Sequence, residues 1–122
     1  MRLFILYNLQ LEIINFLIKA TKPGMNADFI TQLKEVIALL NKIERTYASE
    51  RSKTIGELQN KIWDEPELQN EELYFLQDLA GDLNFYEPVE RDRDAALGYY
   101  DDDRLSELTG TALKKIESFL AA

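Results

Sequence analysis

The chain has 122 residues, of which 46% are hydrophobic and 30% charged, and its formal net charge is −8 at pH 7. This size and composition predict one globular domain spanning residues 1–122 with a single core. The chain contains neither cysteine nor histidine, which excludes disulfides, thiol nucleophiles and histidine-based catalysis or metal binding.

The N-terminal part predicts a first helix that is buried in the core. Apolar residues dominate from Leu3 to Lys19, and Pro23 and Gly24 then break the pattern. Polar residues interrupt the apolar run too often for a signal peptide or a membrane span. We therefore expect a cytoplasmic protein that does not cross a membrane.

Two further helices are predicted in the middle of the chain. Asn26 is suited to cap a long helix whose apolar residues recur at helical spacing as far as Tyr47. A shorter helix should then begin at Ser52 or Thr54 and end near Trp63. Both patterns are amphipathic, so each helix should place one face on the core.

A fourth helix is predicted to begin at Leu68 or Glu71 and to end at Tyr86. Its apolar residues recur at helical spacing. Gly81 interrupts the pattern at a cost of about 1 kcal/mol relative to Ala, which suggests that a neighbouring element packs closely against it.

The segment Glu87–Asp101 has no sustained period, and loops of this length are commonly functional. Asp102 or Asp103 is then expected to cap the last helix, which has a clean apolar face. The complete pattern predicts an all-α fold: a compact bundle of about five helices with a long acidic loop before the last one.

Negative charge is concentrated between Asp64 and Glu107. Fifteen of the twenty-two carboxylates lie in this window with only three bases, Arg91, Arg93 and Arg104, so its net charge is 3 − 15 = −12. Such a field repels nucleic acid and anionic membranes and attracts basic protein surfaces.

The spacing of these carboxylates does not predict a calcium site. An EF-hand loop beginning at Asp92 would need an acid at Ala96 and a glycine one position before Gly98. We expect neither a metal ion nor another cofactor.

Asp78 and Asp82 are four residues apart on one helix face and can reach a common magnesium ion. A magnesium-dependent all-α nucleotide hydrolase is therefore an alternative. It is the less favoured one, because Phe75 stands where the EExxE pattern of such enzymes has its third glutamate. We expect a protein that is not an enzyme and has no catalytic residues.

Protein binding is the function that the acidic window favours. Large aromatic residues accompany its carboxylates, and interfaces combine aromatic anchors with charges that set orientation and association rate. Apolar spacing predicts that Phe85 and Tyr86 pack on the core, whereas Tyr99 and Tyr100 are candidates for exposure. The predicted partner-binding residues are Asp78, Asp82, Glu87, Glu90, Asp92, Asp94, Tyr99, Tyr100, Asp101 and Asp102.

Residues 79–115 have a distinctive order of features. The string LAGDLNFYEP is followed by Arg91, then by Tyr99, Tyr100 and Asp101, and finally by the helical string RLSELTGTALKKI. This order resembles small acidic α-helical immunity proteins of bacterial contact-dependent inhibition and related polymorphic, colicin-like toxin systems. The resemblance implies an inhibitor that binds the toxic C-terminal domain of a cognate effector, often a basic nuclease.

Two other interpretations stay open alongside that resemblance. One is a regulatory adaptor or antitoxin that binds a basic protein of another kind. The other is a helical homo-oligomer in which the apolar first helix pairs between subunits.

Overall fold

The computed structural model describes residues 27–121. Four α-helices lie in this range: α1 (Ala27–Arg45), α2 (Ala48–Asp64), α3 (Phe75–Asp82) and α4 (Asp102–Ala121). The connections contain short 3-10 helices at Pro66–Leu68, Glu71–Leu73, Leu83–Phe85, Glu90–Asp92 and Ala95–Leu97.

The all-α prediction is confirmed, with four helices rather than five in the described range. The predicted helix from Leu3 to Lys19 and the predicted cap Asn26 lie outside the described residues. None of the helices within residues 27–121 combines the length and the apolar character that crossing a bilayer would require.

The helices share one hydrophobic core. α1 supplies Leu33, Ile37 and Leu40, which are fully buried, and α4 supplies Leu113 and Ile116 from the opposite end of the chain. Full burial of one such side chain contributes about 1.5–3 kcal/mol. This core holds α3 and α4 in the positions from which the acidic window projects.

The fourth predicted helix is shorter than its apolar pattern suggests. α3 spans only Phe75–Asp82 and not as far as Tyr86, because the residues before it and Leu83–Phe85 after it form separate 3-10 turns. The Asn70 side chain accepts a hydrogen bond from the backbone N–H of Glu72 at 2.9 Å and caps the 3-10 helix Glu71–Leu73. The first predicted turn therefore forms as a separate 3-10 helix before α3 begins.

Two sequence-based explanations for single residues are wrong. A Cβ atom added to Gly81 would meet nothing within 4 Å, so close packing does not account for this glycine. The last helix is capped by Asp101, whose carboxylate accepts from the backbone N–H of Arg104 at 3.2 Å. Asp102 and Asp103 lie inside the first turn of α4 instead, where their charge favours the helix dipole.

Candidate functional site

The acidic segment is a loop whose two ends are joined by main-chain hydrogen bonds. Tyr86 and Tyr100 form a parallel bridge, in which the Glu87 N–H donates to the Tyr100 carbonyl and the Tyr100 N–H donates to the Phe85 carbonyl, each at 2.9 Å. We call residues 87–99 the acidic loop, and Tyr86 with Tyr100 the loop base. Joining the ends reduces the number of conformations open to the loop.

The acidic loop is also ordered from within. The Arg93 guanidinium donates to the carbonyl oxygens of Glu87 at 3.0 Å and Pro88 at 3.3 Å. The Asp94 carboxylate accepts from the Ala96 N–H at 3.0 Å in a local turn. Arg93, one of the two arginines of the loop, thus directs its positive charge at the loop backbone rather than at solvent.

Tyr100 connects the loop base to the end of α3. Its hydroxyl donates to the Asp82 carbonyl at 2.7 Å, and its ring lies 6.2 Å from the Tyr86 ring. Burial, together with the nearby Asp82 carboxylate, raises the pKa of Tyr100 above its ordinary value. Tyr100 is half-buried, so part of its side chain contacts the loop base and part remains accessible to solvent.

A second network joins the loop base to α2 and α4. The Asp102 carboxylate accepts from the Tyr86 hydroxyl at 2.5 Å and from the Arg51 guanidinium at 2.7 Å. Arg51 also donates through Nε to the Ile43 carbonyl near the end of α1 at 3.1 Å. Burial, followed by the bond to Asp102, raises the pKa of Tyr86. Asp102 was predicted as a partner-binding residue, and these contacts give it a structural role within the chain.

The predicted site residues divide by exposure. Those with exposed side chains are Asp78, Asp82, Glu90, Asp92, Asp94 and Asp102. Those that are half-buried are Glu87, Tyr99, Tyr100 and Asp101. Loop-base contacts bring the end of α3, the acidic loop and the start of α4 together, so carboxylates from three separate parts of the sequence meet at one end of the bundle.

Asp78 and Asp82 border a groove of about 220 Å³ between α3 and α4. Arg104 and Lys115 also line it, and the Lys115 ammonium lies 5.7 Å from the centre of the Phe75 ring. The two cations oppose the attraction that the aspartates would exert on a divalent ion. Within residues 27–121, no group of three or more His, Cys, Asp or Glu side chains is placed to hold a metal ion.

The aromatic predictions were half correct. Tyr86 is buried as expected, at 8% exposure, but Phe85 is 42% exposed and its prediction as a core residue is wrong. The Phe85 ring packs instead against the ring of Tyr99, with 5.7 Å between the ring centres. Phe85 follows the buried Leu83 by two residues, a spacing that points to different sides of a helical turn.

Sequence reasoning left two exposed apolar residues of the acidic loop out of the candidate site. Leu97 is 62% exposed and Val89 is also exposed. Both lie in a stretch without hydrophobic periodicity, so no pattern distinguished them from residues that turn inward. The signal that was available is local: Leu97 precedes a glycine, and only two alanines separate it from the charged run Glu90–Asp94.

Comparisons of the chain with protein-family models, with curated proteins and with solved structures found no match.

Proposed function

We propose that this chain is an immunity protein that binds and neutralises a bacterial toxin domain, and that the toxin is a basic nuclease. The observation that carries the proposal is the acidic loop, which is fixed at its base and joined to two further groups of carboxylates. Its main-chain bridge and the Tyr100 hydroxyl hold it against the bundle.

The charge of the site supports a basic partner. A nuclease needs Lys and Arg side chains to hold the phosphates of its substrate. Carboxylates that occupy the same groove would compete with the substrate and steer the inhibitor into place. We infer that the exposed Asp78, Glu90 and Asp92 contribute in this way.

The order of the acidic loop supports tight binding. Association is weakened by the entropy lost when mobile side chains and loops become fixed. Arg93 and the loop base already restrict the loop, so less of that entropy remains to be lost. In this proposal Asp101, Asp102 and Tyr100 hold the loop in place. Tyr99 supplies contact area, and the exposed carboxylates attract the basic partner electrostatically.

The proposal places the protein in the cytoplasm, where an inhibitor of this kind would meet an incoming toxin domain. It is tested by co-expressing the chain with a toxin domain of high isoelectric point encoded directly upstream of it. We expect growth to be restored and the purified complex to weaken as salt increases. Failure to restore growth with that domain, or a complex indifferent to salt, would contradict the proposal.

A matched pair of variants makes this test specific. Glu90→Gln with Asp92→Asn removes two negative charges from the acidic loop, and Glu50→Gln with Glu57→Gln removes two from exposed positions on α2. The first pair should weaken protection and the second should not. Equal effects would mean that net charge, rather than the acidic loop, determines binding.

A further inference from the structure

An aromatic pair, the exposed Phe85 and the half-buried Tyr99, lies at the end of the acidic loop. The rings of Phe85 and Tyr99 are 5.7 Å apart and inclined by 56°. A Cβ atom built on Gly98 would lie 4.0 Å from Cδ1 of Phe85, so the ring lies beside this bend of the loop. Leu97 precedes Gly98 in the sequence and is 62% exposed. We call these three residues, Phe85, Leu97 and Tyr99, the aromatic patch.

Carboxylate-bearing residues adjoin the aromatic patch through the main chain. The Tyr99 N–H donates to the Asp94 carbonyl at 3.3 Å, and Glu87 is bonded to the residue that follows Tyr99. Each of these carboxylates uses one oxygen in a local turn, Asp94 towards Ala96 and Glu87 towards Val89. Their remaining acceptor capacity is available to a ligand.

We propose that the aromatic patch is the site at which an arginine side chain of the protein partner docks. The guanidinium would lie against the Phe85 and Tyr99 rings and donate hydrogen bonds to the Glu87 or Asp94 carboxylate. This inference rests on the proposed binding of a basic protein and adds to it which side chain is recognised.

The chemistry of the patch favours arginine over lysine. A guanidinium is planar and weakly hydrated, so it stacks on aromatic rings and can bond a carboxylate through two N–H groups at once. A lysine ammonium is compact and strongly hydrated and gains less from the rings. A purely electrostatic surface would bind both cations equally well, and this difference makes the proposal testable.

The probes are the blocked peptides hexa-arginine and hexa-lysine, titrated into the full chain at low salt by calorimetry. A contact between one cation and an exposed ring is worth a factor of about two to five in affinity. We therefore expect hexa-arginine to bind two- to five-fold more tightly than hexa-lysine. Equal affinities would overturn the proposal.

Variants then assign the preference to the aromatic patch. Phe85→Leu and, independently, Tyr99→Leu should bring the two affinities together. Tyr74→Leu removes an exposed aromatic that follows Glu71 and Glu72 and lies outside the loop, and it should leave the preference unchanged. Circular dichroism and urea unfolding identify any variant that has lost its fold. If one ring variant is unfolded, the other decides whether the preference for hexa-arginine depends on the aromatic patch. Retention of the preference in a folded ring variant would overturn the proposal.

A second measurement locates the peptide directly. Amide shifts in NMR spectra should change most at Gly98 and Tyr99 on addition of hexa-arginine. Changes centred on the groove beside Asp78 and Asp82 would overturn the proposal. Because these probes need no toxin, the arginine preference and the neutralisation of a toxin succeed or fail independently of each other.

Discussion

Tyr86 and Asp102 are joined by a hydrogen bond of 2.5 Å from hydroxyl to carboxylate. The same carboxylate oxygen receives the Arg51 guanidinium at 2.7 Å. Tyr86 and Arg51, which are distant from each other in sequence, therefore donate to the same oxygen atom of Asp102. This atom lies where the acidic loop leaves and rejoins the bundle. These bonds hold together the two ends of the loop that carries the proposed binding residues.

Asp102→Asn is expected to lower the free energy of unfolding by about 1–2 kcal/mol. Hydrogen bonds to charged groups contribute about 1.5–3 kcal/mol, and the 56% exposure of the Asp102 side chain reduces that value through solvent screening. Urea unfolding measures the change. Asp92→Asn is the matched control, because the Asp92 carboxylate lies 3.6 Å from an arginine that is itself 86% exposed. A loss in the control as large as in Asp102→Asn would contradict the structural role of Asp102.

The stability of the protein should fall as the pH rises above 10. The pKa values of Tyr86 and Tyr100 are both raised from 10.0, chiefly by burial. The folded state then keeps protons that the unfolded state has released, so the stabilisation is complete below pH 10 and is lost as pH rises towards the folded pKa values. The loss is at most about 1.4 kcal/mol per pH unit for each tyrosine.

Unfolding curves between pH 9 and pH 11.5 test this dependence. Tyr100→Phe should be less stable than the natural chain at pH 9, because the bond to the Asp82 carbonyl is gone. Above pH 10 the same variant should lose stability less steeply with pH. An unchanged slope in both Tyr100→Phe and Tyr86→Phe would show that other groups govern the alkaline transition.

Alanine substitutions at Gly98 and Gly110 should change stability in opposite directions. Gly98 has a φ of +85°, a conformation that costs an L-residue about 1–2 kcal/mol, so Gly98→Ala should destabilise the protein by that amount. Gly110 lies inside α4 with open space around it, so Gly110→Ala should stabilise by up to about 1 kcal/mol. Thermal unfolding of the two variants beside the natural chain measures both effects, and a stabilising Gly98→Ala would show that the loop tolerates another backbone path.

The sequence predicted the parts of the fold that depend on repetition. Apolar residues recur every three or four positions in α1 and α4, so the existence of these helices and their buried faces could be deduced. The end of α2 near Trp63 was also found closely, since Pro66 follows it. The start of α3 was not, because the turn at Asn70 depends on one side chain bonding to a nearby amide.

The candidate site was predictable in its charge but only partly in its geometry. The distribution of charge along the sequence located the carboxylates between Asp64 and Glu107. Whether a carboxylate faces solvent or bonds inside the protein depends on partners such as Arg51, which is 51 residues away from Asp102, and no local pattern reports such a pair. The exposure of Phe85 likewise depends on the path of Gly98 and Tyr99, which apolar periodicity does not describe.

The outer carboxylates of the acidic loop should control the rate of association with a basic partner. For the double variant Glu90→Gln, Asp92→Asn we expect a several-fold slower association at low salt and a nearly unchanged dissociation rate, because exposed rim charges steer the encounter more than they hold the complex. Surface plasmon resonance with the partner identified by co-expression measures both rates. A change confined to dissociation would mean that these side chains are buried in the complex.

The main-chain bridge at the loop base also allows the sequence of the acidic loop to change independently of the sequence of the hydrophobic core. Because the ends of the acidic loop are held together by backbone groups, residues 88–98 can be exchanged without altering a core contact of the four helices. Lengthening a closed loop is inexpensive, since doubling its length costs only about 0.6 kcal/mol. If the acidic loop binds the partner as proposed, a graft of this one short segment would change the partner specificity and leave the hydrophobic core of the bundle unaltered.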